Sequence, residues 1–96
     1  MATVYLGLGT NLGNKEANLR TAIYKLQERI GKQVSLSSFY ETAPWGFESD
    51  HSFLNAAIGL ETSLSPIEIL HITQEIEKRA RQNKEISQRQ LQRPPH

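Results

Sequence analysis

The 96-residue sequence predicts a single α+β domain whose elements follow the order strand, helix, strand, strand, helix. Two kinds of pattern indicate this fold class. Apolar residues alternate along residues 3–8 and recur along residues 53–61, as they do in strands that pack on a core. After each of these runs, apolar residues recur every three or four positions, as on the buried face of a helix. We expect an antiparallel sheet with both helices on one face.

Each predicted helix has sequence signals for its start and for its buried face. Asn14 is a suitable N-cap for the first helix, and Gly31 stands where that helix is expected to end. Ser65 is the expected N-cap of the second helix, because Pro66 suits the first helical position and Glu68 completes a capping box. The predicted buried stripes consist of Leu19, Ala22, Ile23, Leu26, Ile30, Ile69, Ile72 and Ile76.

Residues 34–40 are rich in β-branched, serine and aromatic residues and are predicted to form the second strand. The order βαββα is a split βαβ, or ferredoxin-like, arrangement that lacks its final strand. We therefore expect an unpaired sheet edge, and with it instability or self-association. Residues 79–96 contain only two sizeable aliphatic residues, so we interpret residues 1–78 as the domain and residues 79–96 as a basic, disordered tail.

Composition and charge limit the compartment and the partners. The sequence has no cysteine, which excludes a disulfide framework and a thiolate nucleophile and suits a reducing cytosol. It shows neither a basic leader nor a long apolar run, so we expect a cytoplasmic protein without membrane association. Residues 78–96 hold six Lys/Arg and one Glu. A basic tail can contact nucleic acid non-specifically, but without a recognised module we expect no specific binding.

The stretch from residue 40 to residue 57 is the most distinctive part of the chain. It holds the only tryptophan, Trp45, together with Phe47, Phe53, Thr42 and Asn55. A simple connection between strands needs only about 2–6 residues. Exposed aromatic rings beside hydrogen-bonding side chains suit a flat ligand with a polar edge. The residues leave two interpretations open: a ligand site, or Trp45 and Phe47 folding back over the core.

Other patterns are weaker. The glycines of residues 7–13 have the wrong spacing for a dinucleotide fingerprint, and the three histidines share no metal-ligand spacing. Gln74 and Glu77, three residues apart on the second predicted helix, either converge on one ligand or belong to a solvated helix surface. Phosphoryl transfer needs Mg²⁺ held by acidic oxygens. Because Asp50 is the only aspartate, a major part of such a metal site is missing.

Three segments in order resemble one enzyme family: VYLGLGTNLGNKEANLRTAI, SSFYETAPWGF and FLNAAIGLETSLSPIEILHITQEIE. From Val4 to Lys78 the chain resembles the 6-hydroxymethyl-7,8-dihydropterin pyrophosphokinases of folate biosynthesis. The resemblance implies a ferredoxin-like sheet and transfer of diphosphate from ATP to a reduced pterin with two Mg²⁺ ions. The pterin-binding positions that it implies are Thr42, Ala43, Pro44, Trp45, Phe53 and Asn55. The nucleotide-binding positions that it implies are Gln74 and Glu77.

The resemblance ends before the catalytic part of the family begins. Family members continue with an arginine-bearing loop and a strand of the form R-x-[IL]-D-[IL]-D-[IL], whose two Asp hold the magnesium ions. Residues 79–96 contain neither, so no catalytic or metal-binding residue is assigned, and we expect severely reduced or absent catalysis. The competing interpretation is a non-catalytic ferredoxin-like module that binds a small molecule or a partner.

The missing strand suggests two explanations. Residues 79–96, back-translated with permissible codons and read one base later, can give the runs L-G-R and Y-S-D-R, which resemble what some family members carry at this point. One hypothesis is therefore that the coding frame changes near Lys78. The other hypothesis is that the chain is a genuine shortened relative of this family, and that the freedom of codon choice produces the shifted runs by coincidence.

Overall fold

The structure is a computed structural model, and it describes residues 1–42 and 52–82. In chain order its elements are β1 (Ala2–Thr10), α1 (Lys15–Arg29), β2 (Lys32–Leu36), β3 (Tyr40–Thr42), β4 (Phe53–Thr62) and α2 (Pro66–Gln82). The predicted α+β class is confirmed. No helix within the described ranges is long and apolar enough to cross a membrane.

The four strands form one antiparallel sheet built around β4. Strand β4 pairs with β1 on one side and with β2 and β3 on the other. Its register with β1 continues without interruption from Ala2 to Thr10, whereas its register with β2 shifts once. Helix α1 connects β1 to β2 and packs on the β4 strand that lies between them. These elements form a split βαβ unit, which agrees with the predicted ferredoxin-like arrangement.

The second predicted strand is broken, contrary to our prediction of one strand over residues 34–40. Ser37 lies in the gap between β2 and β3 and pairs with Ala57 of β4. Its backbone N–H donates to the Ala57 carbonyl at 2.9 Å, and its Oγ accepts from the Ala57 N–H at 2.8 Å. A side-chain oxygen thus replaces the backbone carbonyl, which interrupts the regular ladder at this point.

Both predicted helix starts are confirmed. The Asn14 side chain accepts a hydrogen bond from the Ala17 N–H at 3.1 Å. At α2 the Ser65 N–H donates to the Glu68 carboxylate at 3.1 Å, and the Glu68 N–H donates to Ser65 Oγ at 3.3 Å. This reciprocal pair is a capping box. Hydrogen bonds from the Ser65 backbone and side chain hold the pKa of Glu68 below its ordinary value, because they favour the charged carboxylate.

The core lies between one face of the sheet and the two helices. Alternate residues of β1 and β4 face the apolar stripes of α1 and α2. The buried apolar residues are Val4, Leu6, Leu8, Leu19, Ile23, Leu26, Ile30, Ala56, Ile58, Leu60, Ile69 and Ile76. Ile72 packs at the margin of this cluster, and Leu70 is exposed at the flank. The residues that alternate with the buried ones lie on the face of the sheet that points away from the helices.

Helix α2 is longer than the sequence predicted. It ends at Gln82, so residues 79–82 are helical rather than disordered, past the predicted domain boundary at Lys78. Arg79 and Arg81 lie in its last turn, where a positive charge interacts favourably with the helix dipole. Residues 83–96 lie outside the described residues, and the tail predicted there stays a prediction.

Candidate functional site

Three of the predicted pterin-binding residues lie together at one end of the sheet. The register places Thr42 of β3 opposite Phe53 of β4, and Tyr40 opposite Asn55. Directly opposed residues of antiparallel strands project to the same face, and so do residues two apart along a strand. These four side chains therefore share the face that points away from the helices. Thr42 and Tyr40 are exposed, while Phe53 and Asn55 are half-buried.

The side-chain amide of Asn55 connects β3 to β4. Its Nδ2 lies 2.9 Å from Thr42 Oγ1, 3.1 Å from the Tyr40 carbonyl oxygen and 3.2 Å from the Phe53 carbonyl oxygen. Carbonyl oxygens can only accept hydrogen bonds, so the amide nitrogen must be the atom that faces them. The other polar atom of the side chain, Oδ1, is therefore the acceptor that Asn55 can offer to a ligand.

The remaining predicted pterin-binding residues, Ala43, Pro44 and Trp45, lie outside the described residues. Phe47 does too. The choice between a ligand site and a cover over the core therefore stays open for this loop.

The predicted nucleotide-binding residues lie in one shallow cavity on α2. The cavity has a volume of about 260 Å³, and its described lining consists of Gln74, Glu77, Lys78 and Arg81. These residues follow helical spacing and so share one face of α2. Glu77 is only 3% exposed, so the alternative of a solvated helix surface does not describe it. Burying a carboxylate costs free energy unless it is partnered, and Glu77 does have an interaction partner in the structure.

The sequence did not single out three cationic residues that lie beside the two predicted binding regions. Lys15 of α1 places its Nζ 3.4 Å from the Oγ of Ser52, the residue just before β4. Lys78 and Arg81 line the α2 cavity. Helical spacing from the predicted nucleotide-binding pair would have found Lys78 and Arg81. No local pattern would have found Lys15, because its partner lies 37 residues further along the chain.

The described residues do not fit a magnesium site. Within residues 1–42 and 52–82, no three Asp, Glu or His side chains converge as metal ligands. Asp50, the only aspartate, lies outside these ranges. The described part of the chain therefore provides no ligand set for the magnesium ions that the resemblance implies.

The sheet order, the split βαβ unit and the helices on one face define a small ferredoxin-like α+β domain. Comparison with known proteins then identifies its family. A family model described as 7,8-dihydro-6-hydroxymethylpterin-pyrophosphokinase (HPPK) matches residues 5–93. The chain belongs to this family. The match reaches into the segment interpreted as a tail, and the hypothesis of a changed coding frame stays a prediction.

Curated relatives agree with this family. A 2-amino-4-hydroxy-6-hydroxymethyldihydropteridine pyrophosphokinase of Porphyromonas gingivalis is 56% identical over 78 residues, which cover 81% of this chain and 53% of that protein. A Bacillus subtilis protein of the same name is 41% identical over 83 residues, 85% of this chain and 50% of that protein. A folic acid synthesis protein of Schizosaccharomyces pombe is 39% identical over 75 residues, 77% of this chain and 10% of that protein. The chain spans about half the length of the two pyrophosphokinases.

Proposed function

We propose that this chain binds a reduced pterin at the β3–β4 end of the sheet and a nucleotide along α2, as the substrate-binding part of an ATP-dependent pyrophosphokinase of folate biosynthesis. Relatives that carry a pyrophosphokinase name support the reaction class. The observation that carries the proposal is the hydrogen bond between Asn55 and Thr42, beside the ring of Phe53.

The polar atoms at this end of the sheet suit the edge of a pterin. Because Thr42 Oγ1 accepts from Asn55, the Thr42 hydroxyl hydrogen is left to donate to a ligand. Asn55 Oδ1 is left to accept. The pair therefore offers one donor and one acceptor side by side, which matches the alternating acceptors and N–H groups along a pterin edge. Phe53 offers a ring face to the flat heterocycle.

The loop after β3 and the cavity on α2 complete the proposed site. Ala43, Pro44 and Trp45 directly follow Thr42, so they extend the polar edge by sequence adjacency and by the family resemblance. On α2, the exposed side-chain amide of Gln74 can form hydrogen bonds with a nucleotide. The neighbouring cations Lys78 and Arg81, which line the same cavity, attract its phosphates. The buried residue Glu77 forms part of the lining of this cavity.

Positioning alone supplies only part of the catalysis. Holding the pterin hydroxyl near a nucleotide lowers the entropic barrier to transfer. Magnesium would neutralise the charge that develops on the phosphates, but the described residues supply no ligand set for it. We therefore expect this chain to bind pterin while forming little or no AMP.

Isothermal titration of the chain with a non-reactive pterin analogue tests the binding site. Thr42→Val keeps the shape of the side chain and removes its hydroxyl, so we expect affinity to fall about tenfold, which corresponds to about 1.4 kcal/mol. Thr3→Val makes the same change at an exposed position of β1 and should leave affinity unchanged. Circular dichroism melts should show both variants folded.

Two results separate the alternatives. If the folded chain binds no analogue, or Thr42→Val binds it as tightly as Thr3→Val does, the pterin site is wrong. An assay of AMP formation with ATP and Mg²⁺ then divides the functional classes. Binding without AMP indicates a non-catalytic small-molecule-binding module, and AMP formation would overturn the expected loss of activity.

A further inference from the structure

Two short stretches of backbone carry the described part of the proposed pterin site. We call residues 39–42 the β3 stem and residues 52–55 the β4 stem. Strand β3 has only three residues, all of them exposed, and each pairs with one residue of the β4 stem. Exposed backbone hydrogen bonds in short elements open at a low cost in free energy. Thr42 and Asn55 can bond to each other only while the stems are paired, so support from outside the sheet matters here.

Helix α1 contacts the β3 stem through Arg20. The guanidinium carbon of Arg20 lies 5.3 Å from the centre of the Phe39 ring. Phe39 directly precedes β3, is half-buried and packs against the core. A guanidinium above an aromatic face is attracted by the charge distribution of the ring. Phe39 therefore lies between the core and Arg20, which fixes the backbone where it enters β3.

A carboxylate on the same helix orients this arginine. Glu16 lies one turn before Arg20 and accepts a hydrogen bond from its Nη2 at 2.9 Å. An acidic residue four positions before a basic one is the favourable order for such a pair on a helix. Both side chains are exposed, so the pair adds little to stability. Its effect is to hold the guanidinium along α1, with the cation over Phe39.

Helix α1 contacts the β4 stem through Lys15. Lys15 is the first residue of α1, and its ammonium group donates to Ser52 Oγ at 3.4 Å. The Asn14 cap fixes the start of the helix, so the Lys15 side chain leaves it from a defined position. Ser52 directly precedes Phe53, whose ring belongs to the proposed pterin site. The first two turns of α1 thus reach both stems.

We propose that Lys15 and Arg20 are positioning residues of the pterin site. Together their contacts with Ser52 and Phe39, which we call the α1 clamp, keep the two stems paired before a ligand arrives. A ligand binds only the fraction of molecules in which its site is formed, so a preformed site binds more tightly. This positioning role rests on the proposed function, because it needs the pterin site. The α1 clamp itself can be measured without any ligand.

Amide hydrogen exchange of the ligand-free chain tests the α1 clamp. Arg20→Gln and Lys15→Met each remove the cation and keep an unbranched side chain. We expect the β4-bonded amides of residues 40–42 to exchange about threefold faster in each variant, because local opening becomes easier. Amides in the middle of β1 and β4 should exchange as they do in the unmodified chain. Tm should hardly change, since both contacts lie at the margin of the fold.

Two variants on the same helix are matched controls. Arg29→Gln makes the same change as Arg20→Gln, at an arginine that bonds to Glu75 of α2. Lys25→Met makes the same change as Lys15→Met, at a second half-buried lysine of α1. Neither residue contacts a stem through a described interaction, so exchange at residues 40–42 should stay as it is in the unmodified chain.

Rescue and coupling distinguish these contacts from a general effect on α1. Lys15→Arg keeps a cationic donor that can reach Ser52, so it should restore the exchange of the unmodified chain. Phe39→Leu removes the ring on which Arg20 acts. In a chain that carries Phe39→Leu, the further change Arg20→Gln should therefore have no additional effect on residues 40–42.

Isothermal titration with a non-reactive pterin analogue connects the α1 clamp to the site. Arg20→Gln and Lys15→Met should each weaken binding about threefold, because fewer molecules then have paired stems. The two changes together should weaken it further. Arg29→Gln and Lys25→Met should bind the analogue as tightly as the unmodified chain does.

Three results would overturn the positioning role. Unchanged exchange at residues 40–42 in folded Arg20→Gln and Lys15→Met would show that α1 does not hold the stems. Faster exchange throughout the sheet, with a lower Tm, would show a general structural role. Faster exchange at residues 40–42 with unchanged analogue affinity would show that the α1 clamp does not serve the site.

Failure of the proposed function gives a different result. If the unmodified chain binds no analogue, the pterin site is wrong and the positioning role fails with it. The exchange measurements on the ligand-free chain still confirm or refute the α1 clamp in that case.

Discussion

Replacing Asn55 with aspartate tests whether its amide holds β3 against β4. Asn55→Asp keeps the size of the side chain but replaces the Nδ2 donor with a carboxylate oxygen. That position lies 2.9–3.2 Å from three oxygens: Thr42 Oγ1 and the carbonyls of Tyr40 and Phe53. The Thr42 hydroxyl can turn to donate, but the two carbonyls cannot. Attraction therefore becomes repulsion at two of the three contacts.

The size of the effect follows from the geometry. Two N–H groups serve three acceptors, so the amide makes the equivalent of about two hydrogen bonds, each contributing about 0.5–1.5 kcal/mol. Repulsion between the introduced carboxylate and the two carbonyl oxygens adds to the loss of these hydrogen bonds. Partial exposure to solvent weakens that repulsion. We expect the free energy of unfolding to fall by about 2 kcal/mol. For a domain of this size, Tm should fall by roughly 8–16 °C.

Urea unfolding followed by circular dichroism measures this change. Asn55→Ala removes the same hydrogen bonds without adding a charge, so it should be less destabilising at neutral pH. The facing carbonyls should raise the pKa of the introduced carboxyl, and the protonated form is a donor again. The stability of Asn55→Asp should therefore approach that of the unmodified chain in acid and be lost as the pH rises through this raised pKa. Equal urea midpoints for Asn55→Asp and the unmodified chain at pH 7 would refute the role assigned to Asn55.

Two further predictions concern contacts between elements. Gly31→Ala would place a Cβ against the Glu61 carbonyl oxygen, closer than Cβ atoms approach, and we expect urea unfolding to show a loss of about 1–3 kcal/mol. Arg29→Gln removes the hydrogen bond and charge that hold the pKa of Glu75 below its ordinary value. A lowered pKa stabilises the fold only while the carboxylate is charged. The difference in Tm between this variant and the unmodified chain should therefore be present at neutral pH and vanish as the pH falls through the pKa of Glu75.

Matched variants control for these two changes. Gly13→Asn adds a larger side chain at a φ of 64°, which asparagine tolerates, and should cost less than Gly31→Ala does. Lys32→Gln removes an exposed charge that lies opposite Glu61 rather than beside Glu75, so its effect on Tm should not change when Arg29→Gln is also present. A Gly31→Ala chain as stable as Gly13→Asn would argue against the close approach of Gly31 to β4. A pH-independent effect of Arg29→Gln would show that Glu75 is not its cause.

The sequence predicted the features that depend on neighbouring residues. The caps at Asn14 and Ser65 form as expected, because a cap needs only the residues of the following turn. The break between β2 and β3 was not predictable in this way. It depends on Ser37 bonding to Ala57, which is 20 residues away in the chain. Such a contact exists only once β4 has paired with the earlier strands.

The same distinction applies to the candidate site: the sequence indicated which residues belong to it, but not the contacts that form only in the folded chain. The family resemblance indicated Thr42, Phe53 and Asn55, but no pattern could indicate which atom of Asn55 is engaged by β3. Glu77 was expected either to converge with Gln74 on a ligand or to lie on a solvated helix surface, yet it is buried, one turn after buried Thr73 on α2. Burial at that position depends on how α2 packs, which the spacing of polar residues does not determine.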